Sequence, residues 1–178
     1  LIGLFSAVTL PYTLKFLWAP MMDRYVPPLL GRRRGWMLLT QVALLLSIGV
    51  LGMFDPALTT GVVAALAVVV VFFSASQDIV LDAYRREILA DNELGMGNAM
   101  HVNAYRISGL VPGSLSFILA DHLPWSSVFW ITGAFMSLGI AMSLLVSESD
   151  AELPQTTGFL ESTVAPFREY LERRGWSG

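Results

Sequence analysis

Residues 61–73 run without one polar side chain. Such a run is apolar around the whole circumference of a helix, which a bilayer needs and a water-soluble fold does not. A helix rises about 1.5 Å per residue, so about 20 residues cross a hydrocarbon core of about 30 Å. Five stretches reach that length: about 1–22, 36–54, 58–83, 98–120 and 126–146. Only 14% of the 178 residues are charged, where a soluble domain averages roughly a quarter. The expected fold class is therefore all-α integral membrane. A transmembrane bundle occupies 1–147, and a polar segment follows over 148–178. Connectors are short and rich in breakers, as at Asp55-Pro56 and at 121–124, which makes successive spans antiparallel neighbours.

The basic residues are distributed on one side. Arg24, Arg32, Arg33 and Arg34 fall between the first two spans, Arg85 and Arg86 between the third and fourth, and Arg168, Arg173 and Arg174 in the tail. The second and fourth connectors hold none. Alternation of spans puts all nine on the same side, and the positive-inside rule makes that side cytoplasmic. Loops 23–35 and 86–97 and the tail 148–178 are expected there, and Leu1 at the outer face. Within the tail, Val164, Phe167 and Leu171 recur at helical spacing opposite Arg168, Glu169, Glu172 and Arg173. That pattern predicts an amphipathic helix over about 163–174, lying on the membrane surface or facing solvent.

Charge inside a span costs about 2.5–3.5 kcal/mol at the bilayer centre, so each such residue is a functional candidate. Lys15 lies about two turns before the inner end of the first span, just after Pro11. It is a cation for an anionic substrate or for a carboxylate on another helix, or else it snorkels to the headgroups. Asp78, Asp82 and Arg85 follow at spacings of four and three, on one helix face with Ser74 a turn earlier. A carboxylate in a partly dry cavity takes up and releases protons. Arg85 is also placed to hold Asp82 ionised as an i, i+3 pair, and both acids are wet if the helix projects from the membrane. Arg106, about nine residues into the fourth span, is too deep to snorkel. It is expected to face the interior and to pair with a substrate anion, or with Asp78 or Asp82. Gly109, Pro112 and Gly113 follow it and permit close helix contact and a kink.

Several functions are excluded or given no footing. Cysteine is absent and histidines number two, so no thiolate chemistry and no His cluster is available. A net charge of −3 gives no support for a nucleic-acid partner. No HExxH, GxSxG or GxxxxGK[ST] pattern occurs, and Gly95 and Gly97 read as a loop, not as a phosphate cradle. The chain is thus not expected to be an enzyme or to carry a cofactor or metal. It starts at Leu1 inside an apolar run without a signal-peptide pattern, and both ends are expected to be cut.

Asp23-Arg24 followed by Gly31-Arg32-Arg33-Arg34 resembles the loop between the second and third helices of the major facilitator superfamily, with five residues inserted at 26–30. Residues 10–20, 31–36, 76–85 and 166–170 are similar to the AmpG-type muropeptide permeases of that superfamily. The resemblance implies part of the N-terminal six-helix bundle, the five spans standing for helices 2–6, with helix one and the C-terminal half missing. It implies a carrier in the bacterial inner membrane that imports anhydromuropeptides with protons for peptidoglycan recycling. On it, Lys15, Arg106, Gln77 and Tyr84 are substrate contacts, and Asp78 and Asp82 couple the proton. Asp23, Arg24, Gly31, Arg32, Arg33, Arg34 and Arg85 form a conformational latch. Two other readings stay open: a carrier of another anion, such as a peptide, sugar acid or acyl-CoA, and a receptor or assembly factor that transports nothing.

Overall fold

The computed structural model describes residues 7–28 and 30–149. The amphipathic helix expected over 163–174 lies outside them. The described residues form helices and connecting turns. Helices α1 (Leu10–Leu14) and α2 (Ala19–Arg24) are short, α3 (Arg32–Leu51) and α4 (Thr60–Ile88) are long, and α5 is Leu94–Ser108. Helix α6 (Ser116–Ala120) precedes α7 (Trp125–Ala134) and α8 (Met136–Leu145). The last two run on through Phe135, whose backbone stays helical at φ −62° and ψ −21°. Among the described residues three helices are long and apolar enough to cross a membrane: Arg32–Leu51, Thr60–Ile88 and Trp125–Leu145.

The stretches expected as the first and fourth spans are interrupted. Lys15–Leu17 is a 3-10 turn between α1 and α2. Pro20 explains it: the proline has no N–H to give and its ring clashes with the carbonyl four residues back, at Phe16. Pro20 then sits in the first turn of α2, where its missing donor costs nothing. Pro112 has the same effect further on, and residues Val111–Leu115 form a π turn between α5 and α6. Ser116 stabilises that turn by donating to the Val111 carbonyl at 3.0 Å, and its hydroxyl also meets Thr132 of α7 at 2.8 Å. At Pro112 the helical pattern changes to that π turn. The close helix contact expected at its glycines is not made among the described residues: a Cβ at Gly113 would meet open space, and one at Gly109 only its own helix.

Glycine contact is made instead between α3 and the α7–α8 pair. A Cβ at Gly49 would fall 2.6 Å from the Trp130 ring, and one at Gly52 would collide with Phe129 Cβ. Gly133 and Gly139 reciprocate against Ile48 and Gln41. A buried hydrogen bond from the Ser143 hydroxyl to Gln41 Oε1, 2.8 Å, locks the same seam. Helix α4 packs along the other side of α3. Met22, Met37 and Val80 form a small core there, flanked by Trp18, Trp36, Ile79 and Tyr84. Helix α5 has no buried residue.

Two connectors differ from expectation. Arg32, Arg33 and Arg34 are not in a loop but open α3, because Gly31, at φ +88°, turns the chain into the helix. Arg85 and Arg86 belong to α4, whose 29 residues rise about 43 Å, well beyond a core of about 30 Å. Gly95 and Gly97 lie in the first turn of α5. Gly97 has no Cβ, and the Leu89 side chain occupies the space one would need.

Candidate functional site

Helix α4 gathers polar contacts at two levels. At the upper level it meets the broken segment α1–α2. Lys15 Nζ donates to Asp78 Oδ2 at 3.1 Å, with the two side chains 34% and 38% exposed. One turn earlier on both elements, the hydroxyls of Tyr12 and Ser74 meet at 2.9 Å. Trp18 Nε1 donates to Ser76 Oγ at 3.0 Å, and Ser76 in turn donates to the Phe72 carbonyl. The ammonium lies 5.8 Å from the centre of the Tyr12 ring, within the range of a cation–π attraction. The 3-10 turn aims Lys15 at α4, and the spacing of four between Ser74 and Asp78 puts both on the face that receives it.

At the lower level are the three arginines of α3. Cations at a helix N-terminus oppose its dipole, and burial adds a desolvation cost, so they need counter-charges. Arg32 Nη2 and Arg33 Nε each donate to Glu87 Oε1 at 2.9 Å, and Arg33 Nη2 reaches the same oxygen. Arg33 Nη1 donates to Asp23 Oδ1 at 2.6 Å. The side chains of Arg32 and Arg33 are 6% and 5% exposed. Arg34 reaches the C-terminal end of α8: it donates to the carbonyls of Ser143 and Leu144 at 3.1 and 2.7 Å. Glu148 returns the contact. Its carboxylate accepts the backbone N–H groups of Arg33 and Arg34 at 2.7 and 3.0 Å. The start of α3 and the end of α8 therefore cap each other, anion on N-terminus and cation on C-terminus.

Of the residues singled out in the sequence, the structure joins Lys15 with Asp78, and Asp23 with Arg32, Arg33 and the turn at Gly31. Asp82 is held by Arg85 at 2.8 Å, the i, i+3 pairing. The Tyr84 hydroxyl donates to the Ser147 carbonyl at 2.8 Å, which ties α4 to the segment after α8 and not to Lys15. Gln77 is half-buried, with Oε1 lacking a hydrogen-bond partner among the described residues. Arg24 is exposed. Arg106 is not brought to Asp78 or Asp82. It is exposed on α5, and neither acid pairs with it. A cleft of about 430 Å³ lies at the opposite end from the arginines, between residues 52–56 and 124–126, away from all of these.

Glu87, Glu148, Tyr12, Trp18 and Ser76 were not legible as site residues. Glu87 had one signal: three adjacent arginines require acids nearby, and the helix continues far enough to bring one.

Residues 1–177 match the pattern of the Major Facilitator Superfamily. The chain belongs to that superfamily. It is 54% identical to an uncharacterized protein of Haemophilus influenzae, over 98% of this chain and 42% of that one. It is 44% identical to the anhydromuropeptide permease of Escherichia coli K12, over 97% of this chain and 35% of the relative. With a putative transporter AmpG 1 of Rickettsia prowazekii the identity is 31% over 82% of the chain and 34% of that protein. The chain thus spans between about a third and two fifths of the length of these relatives. Superfamily membership and the three apolar helices make it a multi-pass membrane protein, and two of these relatives bear the names of a permease and a putative transporter.

Proposed function

We propose that this chain is part of a proton-coupled importer of anhydromuropeptides in the bacterial inner membrane. The observation that carries the reading is the Lys15–Asp78 pair: a cation and a proton acceptor, joined across two membrane segments, in a chain 44% identical to an anhydromuropeptide permease. The arginine-rich end is cytoplasmic, by the positive-inside rule. Transport is by alternating access, the rest of a full-length protein supplying the facing wall of the pathway. Lys15 and Arg106 attract the substrate's carboxylates, and Gln77 adds a neutral polar contact. Asp78 takes the coupling proton, while Asp82 is the second acid on the same face. Asp23, Gly31, Arg32, Arg33 and Arg34, with Arg24 and Arg85 beside them, form the cytoplasmic latch that stabilises one state.

The test is uptake of labelled anhydromuropeptide by vesicles carrying the full-length protein, with and without an inward proton gradient. Gradient-dependent accumulation is expected. Normal transport by both Asp78→Asn and Arg106→Ala overturns the site assignment. Competition by a free peptide, a sugar acid and an acyl-CoA separates a muropeptide carrier from a carrier of another anion. Pairing of Asp78 with a cation on a facing segment speaks for a carrier and against a receptor, which has no use for it. The exposed Arg106 is the residue on which those two readings divide.

A further inference from the structure

We infer that the connector between α2 and α3 is a wedge that enters the lipid leaflet at the arginine-rich end of the bundle, with Arg24 on an anionic phospholipid headgroup. The inference goes beyond the import reading and does not depend on which solute is carried.

Residues 25–30 read Tyr-Val-Pro-Pro-Leu-Leu, a connector without a charge. It joins helix ends that carry Asp23, Arg24, Arg32, Arg33 and Arg34. Tyr25 is 61% and Val26 43% exposed, and Pro28 is exposed beside them. The connector between α4 and α5, at the same end, shows the contrast. It reads Leu-Ala-Asp-Asn-Glu over 89–93, and its Asp91 side chain is 94% exposed. That is the composition of a loop in water. A loop enters a leaflet only if its backbone polar groups are few or satisfied. Here Pro27 and Pro28 have no N–H to satisfy, and their rings fix φ. The Tyr25 N–H donates to the Met21 carbonyl at 2.9 Å, and its own carbonyl accepts the Trp36 indole N–H at 2.8 Å. Leu30 and Gly31, at φ +65° and +88°, then turn the chain straight into α3. The wedge is preformed.

Its surroundings point to lipid as the occupant. Helix α3 is packed by α4 on one side and by α7 and α8 on another. A further side bears Leu39, Val42, Leu46 and Val50 at spacings of three and four, all exposed, an apolar stripe of the kind a bilayer covers. Trp36 lies one turn before Leu39 on that side and meets the Tyr25 ring edge to face, centroids 6.2 Å apart. Paired aromatic rings at the foot of an apolar stripe suit the level of the headgroups. Arg24, next to Tyr25, is exposed and has no ion pair among the described residues. Arg32 and Arg33, by contrast, are held by Glu87 and Asp23. An unpaired guanidinium beside an apolar wedge is placed for a headgroup phosphate, which its planar fork binds by two hydrogen bonds.

The test uses the full-length protein, made free of other cysteines, with Val26→Cys carrying a nitroxide, in vesicles of phosphatidylcholine and phosphatidylglycerol. Relaxation by oxygen, which partitions into lipid, is compared with relaxation by a nickel chelate, which stays in water. At position 26 oxygen is expected to dominate and to place the label about 5–10 Å below the phosphates. At Asp91→Cys, labelled in the same way, the nickel chelate is expected to dominate. Dominance of the nickel chelate at 26 overturns the wedge. So does a label there that neither reagent reaches, since protein then covers the site. A second arm puts a fluorophore at position 26 and compares its quenching by brominated phosphatidylglycerol and brominated phosphatidylcholine. Arg24→Gln is expected to lower the preference for the anionic lipid about fivefold, the worth of one basic residue at an anionic surface. No preference without that substitution, or one that it leaves unchanged, overturns the headgroup site. Neither arm reads transport, so both stand if the import reading fails.

Discussion

Two of the carboxylates on helix α4, Asp78 and Glu87, lie about 14 Å apart along its axis, and their surroundings are opposite. Glu87 is 15% exposed and gathers the guanidinium groups of two buried arginines on one oxygen. Asp78 is 38% exposed and holds one ammonium by one hydrogen bond. A rigid partner on a helix N-terminus meets the first; a lysine in an interrupted segment meets the second. One site is over-determined and fixes the end of the bundle. The other is one ion pair, set beside the Tyr12–Ser74 and Trp18–Ser76 hydrogen bonds between the same elements. The difference teaches that a buried carboxylate shared by two arginines and a half-open one facing a single lysine carry different amounts of stability on one helix.

If that contrast holds, substitutions at the two sites separate in size and in kind. Glu87→Ala leaves two buried guanidinium groups without their shared acid. It is expected to cost about 3–5 kcal/mol, read as a lowered unfolding midpoint of the full-length protein in detergent. Gly31→Ala comes next, at about 1–2 kcal/mol for a left-handed backbone in a residue with a Cβ. That Cβ would also sit 2.8 Å from Glu148 Cδ, so the capping carboxylate must shift. Glu148→Ala removes the acceptor from the start of α3, and about 0.5–2 kcal/mol is expected, the range for loss of a helix cap. Asp78→Asn, at the other site, is expected to change the midpoint least, by under about 1 kcal/mol. A midpoint lowered as far by Asp78→Asn as by Glu87→Ala breaks the comparison.

The two sites were unequally legible in the sequence. Lys15 and Asp78 stood out because a charge among apolar residues needs a reason, and that signal is local. Their pairing was not legible. Arg106 was as good a partner for Asp78 by sequence, and what decides against it is the geometry of interrupted elements: Pro20 turns Lys15 toward α4, while α5 presents Arg106 on an exposed face. The three long apolar helices were legible from hydropathy. The arginines that open α3 stood out as a charge run and Asp23 with them, but Glu87 and Glu148 did not. Glu148 reaches Arg33 across 115 residues of chain, and no spacing rule links positions so far apart. Glu87 looked like a loop residue because the sequence shows where a membrane span ends, not where its helix ends.

The most direct measurement is gradient-driven uptake of labelled anhydromuropeptide by vesicles carrying full-length wild-type protein or Asp78→Asn, each normalised to the amount of folded protein. The expected result is accumulation by wild type, and label exchange without accumulation by Asp78→Asn. Accumulation by Asp78→Asn at the wild-type level contradicts the assignment of the coupling proton to the Lys15–Asp78 pair.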